Sequence, residues 1–225
     1  LVALDDGDAC AEATAWWEEL IERGGEAFLV RADARILIAG QAPGRLVHET
    51  GIPWNDPSGD RLRGWLNLDR DTFYDKAKIA VAAMGFCFPG TVGGADLPPR
   101  RECAPLWRPR LLPLLKKVRL TLLVGLYAQR YHLGVAAKPT LGETVRTWRD
   151  YPAEMLPLPH PSWRNSAWLK RNPWFETELV PELRTRVRAA SIVTSAPAST
   201  SSVQIASPRM ICAPICATPI PLARI

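Results

Sequence analysis

Few residues of this 225-residue chain have the types and spacing that common catalytic motifs require. The chain has three histidines (His48, His132 and His160), so a three-histidine metal site would need all of them. No histidine stands four residues after His48, which excludes the zinc-protease motif H-E-x-x-H. The phosphate-binding G-x-x-x-x-G-K-[ST] loop, a G-x-G-x-x-G motif after the first predicted strand and the G-x-S-x-G elbow are also missing. These absences disfavour most common enzyme classes.

Two rigid loops are the strongest remaining candidates for a site. The first contains Gly40-Gln41-Ala42-Pro43-Gly44 and continues to Gly59, and the second contains His160-Pro161-Ser162. Glycine and proline bend and stiffen both loops, so the same residues are also typical of simple tight turns. Spacing alone leaves both alternatives open.

Four apolar runs predict the strands that would position these loops: residues 35–40, 78–84, 120–125 and 155–159. Such runs, separated by helical patterns, are typical of parallel strands buried on both faces. The helices are predicted near residues 58–68, 104–117, 126–133, 140–150 and 173–188. We therefore expect a three-layer α/β/α fold with a central four-stranded, mainly parallel sheet. Its ligand would bind beyond the carboxyl ends of the strands, against residues 40–59, 85–99 and 160–173.

Charge and composition divide the chain into three zones. Residues 1–30 form an acidic segment with helical propensity, residues 31–189 the predicted domain, and residues 190–225 a Ser-, Thr-, Ala- and Pro-rich tail predicted to be disordered. Nine acidic side chains against two arginines give residues 1–34 a charge of −7, which leaves +12 for the rest. A domain this basic suggests a polyanionic partner, although solubility alone also explains it.

Apolar runs and cysteines indicate the cellular compartment. The chain has no run of 18 apolar residues, so a membrane-spanning helix is not predicted. Its N-terminus has no basic region followed by an apolar one, so a secretory signal is not predicted either. Five irregularly spaced cysteines fit a reducing cytoplasm better than a disulfide framework. We expect a cytoplasmic monomer with no membrane partner.

The two loops resemble the signature segments of the uracil-DNA glycosylase superfamily. Residues 40–44 match G-[QE]-x-P-[GY] after the first strand, and residues 160–162 match H-P-[SA] after the last. Residues 50–54 are similar to the family's T-G-x-P-F, and residues 169–173 to the L-x-R-N-P of its thermostable bacterial branch. The resemblance covers residues 31–188 and implies cleavage of the N-glycosidic bond of a flipped base, typically uracil, in DNA.

The resemblance also implies roles for single residues. Trp54 would stack on the flipped base, although it could instead be a core tryptophan, and His160 would donate a hydrogen bond to a uracil carbonyl. The remaining substrate-binding residues would lie in the first loop and its continuation: Gln41, Ala42, Pro43, Gly44, Asn55 and Ser58. After His160, the DNA-binding residues would be Pro161, Ser162, Trp163, Arg164, Leu169, Lys170 and Arg171. Residues 163–171 would form a wedge flanked by cations; an amphipathic helix packing two tryptophans is the alternative.

This chain departs from the family at two positions that bear on catalysis. Ala42 stands where many members have Asp or Asn to position the attacking water, so we assign that task to Asp56, helped by Gln41; an ordinary Asp-Pro turn is the alternative. After the second strand, residues 82–86 lack the Asn that reads the pyrimidine edge in the thermostable branch. Other deaminated bases therefore remain candidate substrates.

The cysteines leave the cofactor open. Cys87 and Cys103 match two ligands of the thermostable branch's [4Fe–4S] cluster, but Cys10 is the only cysteine where that branch has C-x-x-C. Either the cluster is lost or the N-terminus is not the ancestral one, and the chemistry itself requires no cofactor. The predicted function is a uracil-DNA glycosylase with uracil-containing DNA as its partner. A damaged-DNA binding protein with little turnover and a nucleoside hydrolase are the alternatives.

Overall fold

The central sheet contains four parallel strands. The computed structural model describes residues 30–191, in which the strands are β1 (Ile36–Ala39), β2 (Ile79–Val81), β5 (Leu120–Val124) and β6 (Met155–Leu158). Their order is β2-β1-β5-β6, and every pairing in this sheet is parallel. The predicted three-layer α/β/α fold is confirmed, with a wholly rather than mainly parallel sheet.

Helices cover both faces of the sheet because alternate strand residues point to opposite sides. Ile36 and Ile38 share one core with residues of α2 (Pro57–Leu66) and α8 (Val180–Ser191). On the other face, Leu37 shares a core with Leu115 and with Leu111 at the end of α4 (Cys103–Leu111), and Ala39 packs near α5 (Leu126–Leu133). This double burial explains why the strands are continuous apolar runs.

Several predicted helices are interrupted. α4 gives way to a 3₁₀ turn (Leu112–Leu114), and α6 (Leu141–Arg146) is followed by another (Trp148–Asp150). A π-helical turn (Phe175–Leu179) precedes α8. The structure adds three short helices to the prediction, α1 (Arg45–Thr50), α3 (Arg70–Tyr74) and α7 (Ser166–Arg171), and an antiparallel hairpin of β3 (Thr91–Val92) and β4 (Ala95–Asp96).

The sheet order places the candidate site at β1. The connection from β1 leads to β2 on one side, and the chain then returns to β5 on the other, so β1 and β5 flank the point where the winding direction reverses. Ligands of open parallel sheets bind beyond the strand ends at such a point. The first predicted loop starts there, since residue 40 follows β1, and the second starts at the end of the neighbouring edge strand, since residue 160 lies just after β6.

No helix among residues 30–191 has the length and apolar character to cross a membrane. The predictions for the acidic segment and the tail concern residues that lie almost entirely outside this described range.

Candidate active site

The backbone of the first loop is held by the segment that follows β2. The N–H of Met84 donates to the carbonyl of Gly40 at 3.0 Å, and the N–H of Gly85 donates to that of Gln41 at 2.9 Å. Among residues 30–191, the N–H groups of Gln41 and Ala42 and the Gln41 side chain have no hydrogen-bond partner. The loop therefore offers free donors beyond the end of β1, which is what recognition of a base edge requires.

Trp54 lies over this loop in a backbone conformation that tryptophan rarely adopts. Its φ is +57°, in the left-handed region, which costs an ordinary residue about 1–2 kcal/mol. The buried Arg63 side chain donates from Nη1 to the Trp54 carbonyl at 3.2 Å and holds this conformation. The indole is half-buried, and a Cβ on Gly40 would lie 3.2 Å from its Cζ2 atom. Trp54 thus packs on the core with one part and borders the first loop with another.

The neighbours of Trp54 are fixed by two side chains of α3. Tyr74 donates its hydroxyl to the Pro53 carbonyl at 2.8 Å, and Arg70 donates to Oδ1 of Asn55 at 3.0 Å. Burial raises the pKa of Tyr74, so its hydroxyl keeps the donated proton. Asn55 therefore supports the loop through its side-chain oxygen.

His160 lies beside Trp54, with the two ring centroids 5.5 Å apart and an interplanar angle of 32°. The N–H of Ser162 donates to Nδ1 of His160 at 3.2 Å, so Nδ1 is an acceptor and Nε2 carries the proton. Burial lowers the pKa of His160, while the negative charges of Asp56 and Asp96 act in the opposite direction. At neutral pH the ring is uncharged and presents an Nε2–H donor. Asn165 fixes the backbone by donating to the His160 carbonyl at 2.7 Å.

Asp56 is the N-cap of α2. Its Oδ1 accepts the Gly59 N–H at 2.7 Å, and Pro57 occupies the first helical position, as in many helix starts. The helix start thus uses one carboxylate oxygen, while the charge of Asp56 still acts on His160. Ser58 lies half-buried in the first turn. The cap and the proposed water-positioning role are compatible, because a carboxylate has two oxygens.

The segment after His160 divides into exposed and packed residues. Trp163 is 75% exposed, and the Arg164 side chain beside it donates to the Gly94 carbonyl at 2.7 Å. Trp168 and Leu169 instead pack against the core. Core packing, the alternative for two tryptophans, therefore applies to Trp168 but not to Trp163, and the DNA contact of this segment stays a prediction. Pro161 is buried, and the backbone carbonyl of Ser162 accepts a hydrogen bond from Arg61 at 3.1 Å. Lys170 and Arg171 are exposed.

Sequence reasoning missed two features near the site. Asp96, on β4, acts on His160 through its charge, although the sequence analysis named only Cys87 among residues 85–99. Arg108 is fully buried and donates to the carbonyls of Ala82 and Ala83, at 3.1 and 3.3 Å, next to its 2.6 Å contact with Nε2 of His132. An arginine in a helical pattern gives no sequence signal of such burial.

The cysteine pair is brought together by the fold. The thiols of Cys87 and Cys103 are hydrogen-bonded, and this bond lowers the pKa of Cys103 to about 6. Residues 30–191 contain no group of three or more His, Cys, Asp or Glu side chains that could hold a metal ion. They supply two of the four thiolates that a [4Fe–4S] cluster requires, and Cys10 lies outside the described range. The described donor set does not complete such a site, so no chemical step below involves a cluster.

Comparison with known protein families identifies one matching family model. Residues 28–184 match the model described as the Uracil DNA glycosylase superfamily. The match covers most of the chain and includes the sheet, both loops and the hairpin.

Proposed function

The chain belongs to the uracil-DNA glycosylase superfamily, and from the geometry of its site we propose that it excises uracil from DNA. It would flip the base out of the stack and hydrolyse the bond between uracil N1 and the sugar C1′, leaving an abasic site. The observation that carries this proposal is a half-buried, neutral His160 with its Nε2–H free to donate beside the Trp54 ring.

The role of His160 follows from the charges that develop as the bond breaks. The electron pair of the C1′–N1 bond moves onto uracil, and its carbonyl oxygens gain negative charge. A preorganised donor at such an oxygen contributes about 3–4 kcal/mol in comparable sites. The donation from Ser162 to Nδ1 fixes the tautomer and aims the ring. Because His160 is neutral, it donates a hydrogen bond without giving up its proton. Uracil therefore departs as an anion, which then takes a proton from solvent.

Recognition of the base would use the first loop and Trp54. An extruded base exposes both of its faces and its hydrogen-bonding edge. Trp54, held by Arg63, offers a ring for one face, while the free N–H groups of Gln41 and Ala42 offer donors for the edge. Asp56 would orient the attacking water with its second oxygen. Because no asparagine follows β2, we also propose that the pocket accepts other deaminated bases.

Alkaline cleavage of a labelled uracil-containing oligonucleotide tests turnover. The wild type should produce alkali-labile sites in single- or double-stranded DNA, and hypoxanthine- and xanthine-containing strands measure the base range. Binding in a gel shift without abasic sites would favour a damaged-DNA binding protein instead. Release of uracil from free deoxyuridine, with binding insensitive to salt, would favour a nucleoside hydrolase.

A further inference from the structure

We propose that Asp96 is a second carboxylate of the active site, which accepts the proton of the attacking water while Asp56 orients that water. The inference rests on the proposed base-excision function. Its subject is the activation of the attacking water, for which Ala42 in the first loop has no functional group.

The hairpin brings Asp96 from a distant part of the sequence to the first loop. Its Oδ2 atom lies 3.6 Å from the point where a Cβ on Gly44 would stand. The hairpin is closed by the Leu97 N–H, which donates to the Gly90 carbonyl at 2.9 Å. Arg164 ties the hairpin to the His160 loop through the Gly94 carbonyl. Asp96 therefore lies where the two motif loops meet.

The carboxylate of Asp96 is uncommitted. Within residues 30–191 it has no hydrogen bond and no ion pair, whereas Oδ1 of Asp56 is bound by the Gly59 N–H. Its negative charge nevertheless acts on the half-buried ring of His160. An exposed carboxylate with both oxygens free, at the edge of the first loop and within reach of His160 by its charge, is suited to accept a proton and release it to solvent.

The C1′–N1 bond breaks with its electron pair going to uracil, and positive charge develops on the sugar. The water oxygen forms a bond to C1′, and its proton passes to the Asp96 carboxylate. Solvent then takes the proton, which returns Asp96 to its starting state. The negative charge of the carboxylate also stabilises the positive sugar before the water attacks.

Binding and catalysis place opposite demands on this side chain. A carboxylate at the mouth of a DNA site repels phosphates, so removing its charge should strengthen DNA binding. If Asp96 accepts the proton, the same change must slow excision. If Asp96 were only a charged surface residue, its removal would strengthen DNA binding without slowing excision.

The experiment measures single-turnover excision and DNA affinity for Asp96→Asn and Asp96→Glu, with Asp71→Asn as the matched control. Asp71 is exposed on α3 and has no role in the proposed reaction, so its variant makes the same change in charge at another surface position. We expect Asp96→Asn to slow excision about 100-fold or more, with DNA affinity equal or higher, while Asp96→Glu keeps more activity and Asp71→Asn matches the wild type.

Two results would overturn the inference in distinguishable ways. If the wild type excises uracil and Asp96→Asn stays within about threefold of its rate, the Asp96 assignment fails and the proposed function stands. If the wild type excises no uracil, the proposed function fails and the inference falls with it. Comparison with Asp56→Asn, which keeps a good N-cap residue, shows whether the two carboxylates have separate roles.

Discussion

The packing of α2 against Trp54 allows a sharp test with two glycines of one helix. A Cβ on Gly59 would lie 1.8 Å from the Trp54 carbonyl oxygen and 2.6 Å from its carbonyl carbon. Contacts this short are impossible, so in Gly59→Ala the backbone of Trp54 must move by about an ångström or more. A Cβ on Gly64 meets nothing within 4 Å. The same substitution is therefore blocked at one position and free at the other.

The expected magnitudes follow from these contacts. Overpacking costs about 1–3 kcal/mol, and disturbing the hydrogen bond from Arg63 to the Trp54 carbonyl adds about 1.5–3 kcal/mol. The helix propensity of alanine returns about 1 kcal/mol, so Gly59→Ala should lower the free energy of unfolding by about 1.5–5 kcal/mol. Gly64→Ala should raise it by about 0.5–1 kcal/mol.

Urea unfolding of the two variants and the wild type measures both changes, and single-turnover excision reports on the site. Because Gly59 supports the strained Trp54, its variant should also lose at least about tenfold in rate under conditions where it is folded. Equal stability of the two variants would refute the described packing of Trp54 on α2. Full activity of a destabilised Gly59→Ala would refute the placement of Trp54 against the base.

Two further predictions concern a buried histidine and the exposed tryptophan. Burial and the charge of Arg108 lower the pKa of His132 from 6.5 to about 3, so the unfolded chain binds its proton first as pH falls. Wild-type stability should drop by about 2 kcal/mol between pH 7 and pH 5 from this residue. His132→Gln, which can still accept from Arg108, should flatten that part of the urea-unfolding profile, and an unchanged slope would contradict the burial. Trp163→Ala should leave stability within about 0.5 kcal/mol and slow excision from duplex more than from single strands. Trp168→Ala, in the packed half of the segment, should instead destabilise the fold by about 2–3 kcal/mol; equal unfolding midpoints for these two variants would be the contrary result.

The strands were predictable because burial on both faces leaves a continuous apolar run. Residues 120–125 predict a strand that the structure bounds at Leu120–Val124, and the helix predicted at residues 126–133 is confirmed without change. The helix predicted for residues 104–117 is shorter in the structure. Pro109 and Pro113 interrupt the pattern of backbone donors there, and a 3₁₀ turn follows Leu111.

The hairpin could not be predicted from periodicity. Each of its strands has two residues, too few for an alternating pattern, and its turn uses the positive φ of Gly93 and Gly94. The position of Asp96 depends on this turn and on the hydrogen bond from Arg164 to Gly94, a contact between residues far apart in the sequence. Local patterns do not encode such contacts.

The family motifs in the sequence indicate part of the candidate site. They include His160 and Trp54, whose rings are neighbours in the structure. They do not indicate that Trp54 adopts a positive φ, because this depends on the packing of α2, whereas the Asp56 cap has a local signal, an Asp followed by Pro at a helix start. The sequence therefore predicted which residues meet, but not how each is held.

The central claim is that His160, as a neutral donor, stabilises the departing uracil. The most direct measurement is the single-turnover rate of uracil release at neutral pH for the wild type and His160→Ala, with DNA affinity measured in parallel. We predict a rate about 100- to 1,000-fold lower in the variant, with DNA affinity nearly unchanged. A variant that releases uracil as fast as the wild type, or a wild type that releases none, would contradict the account.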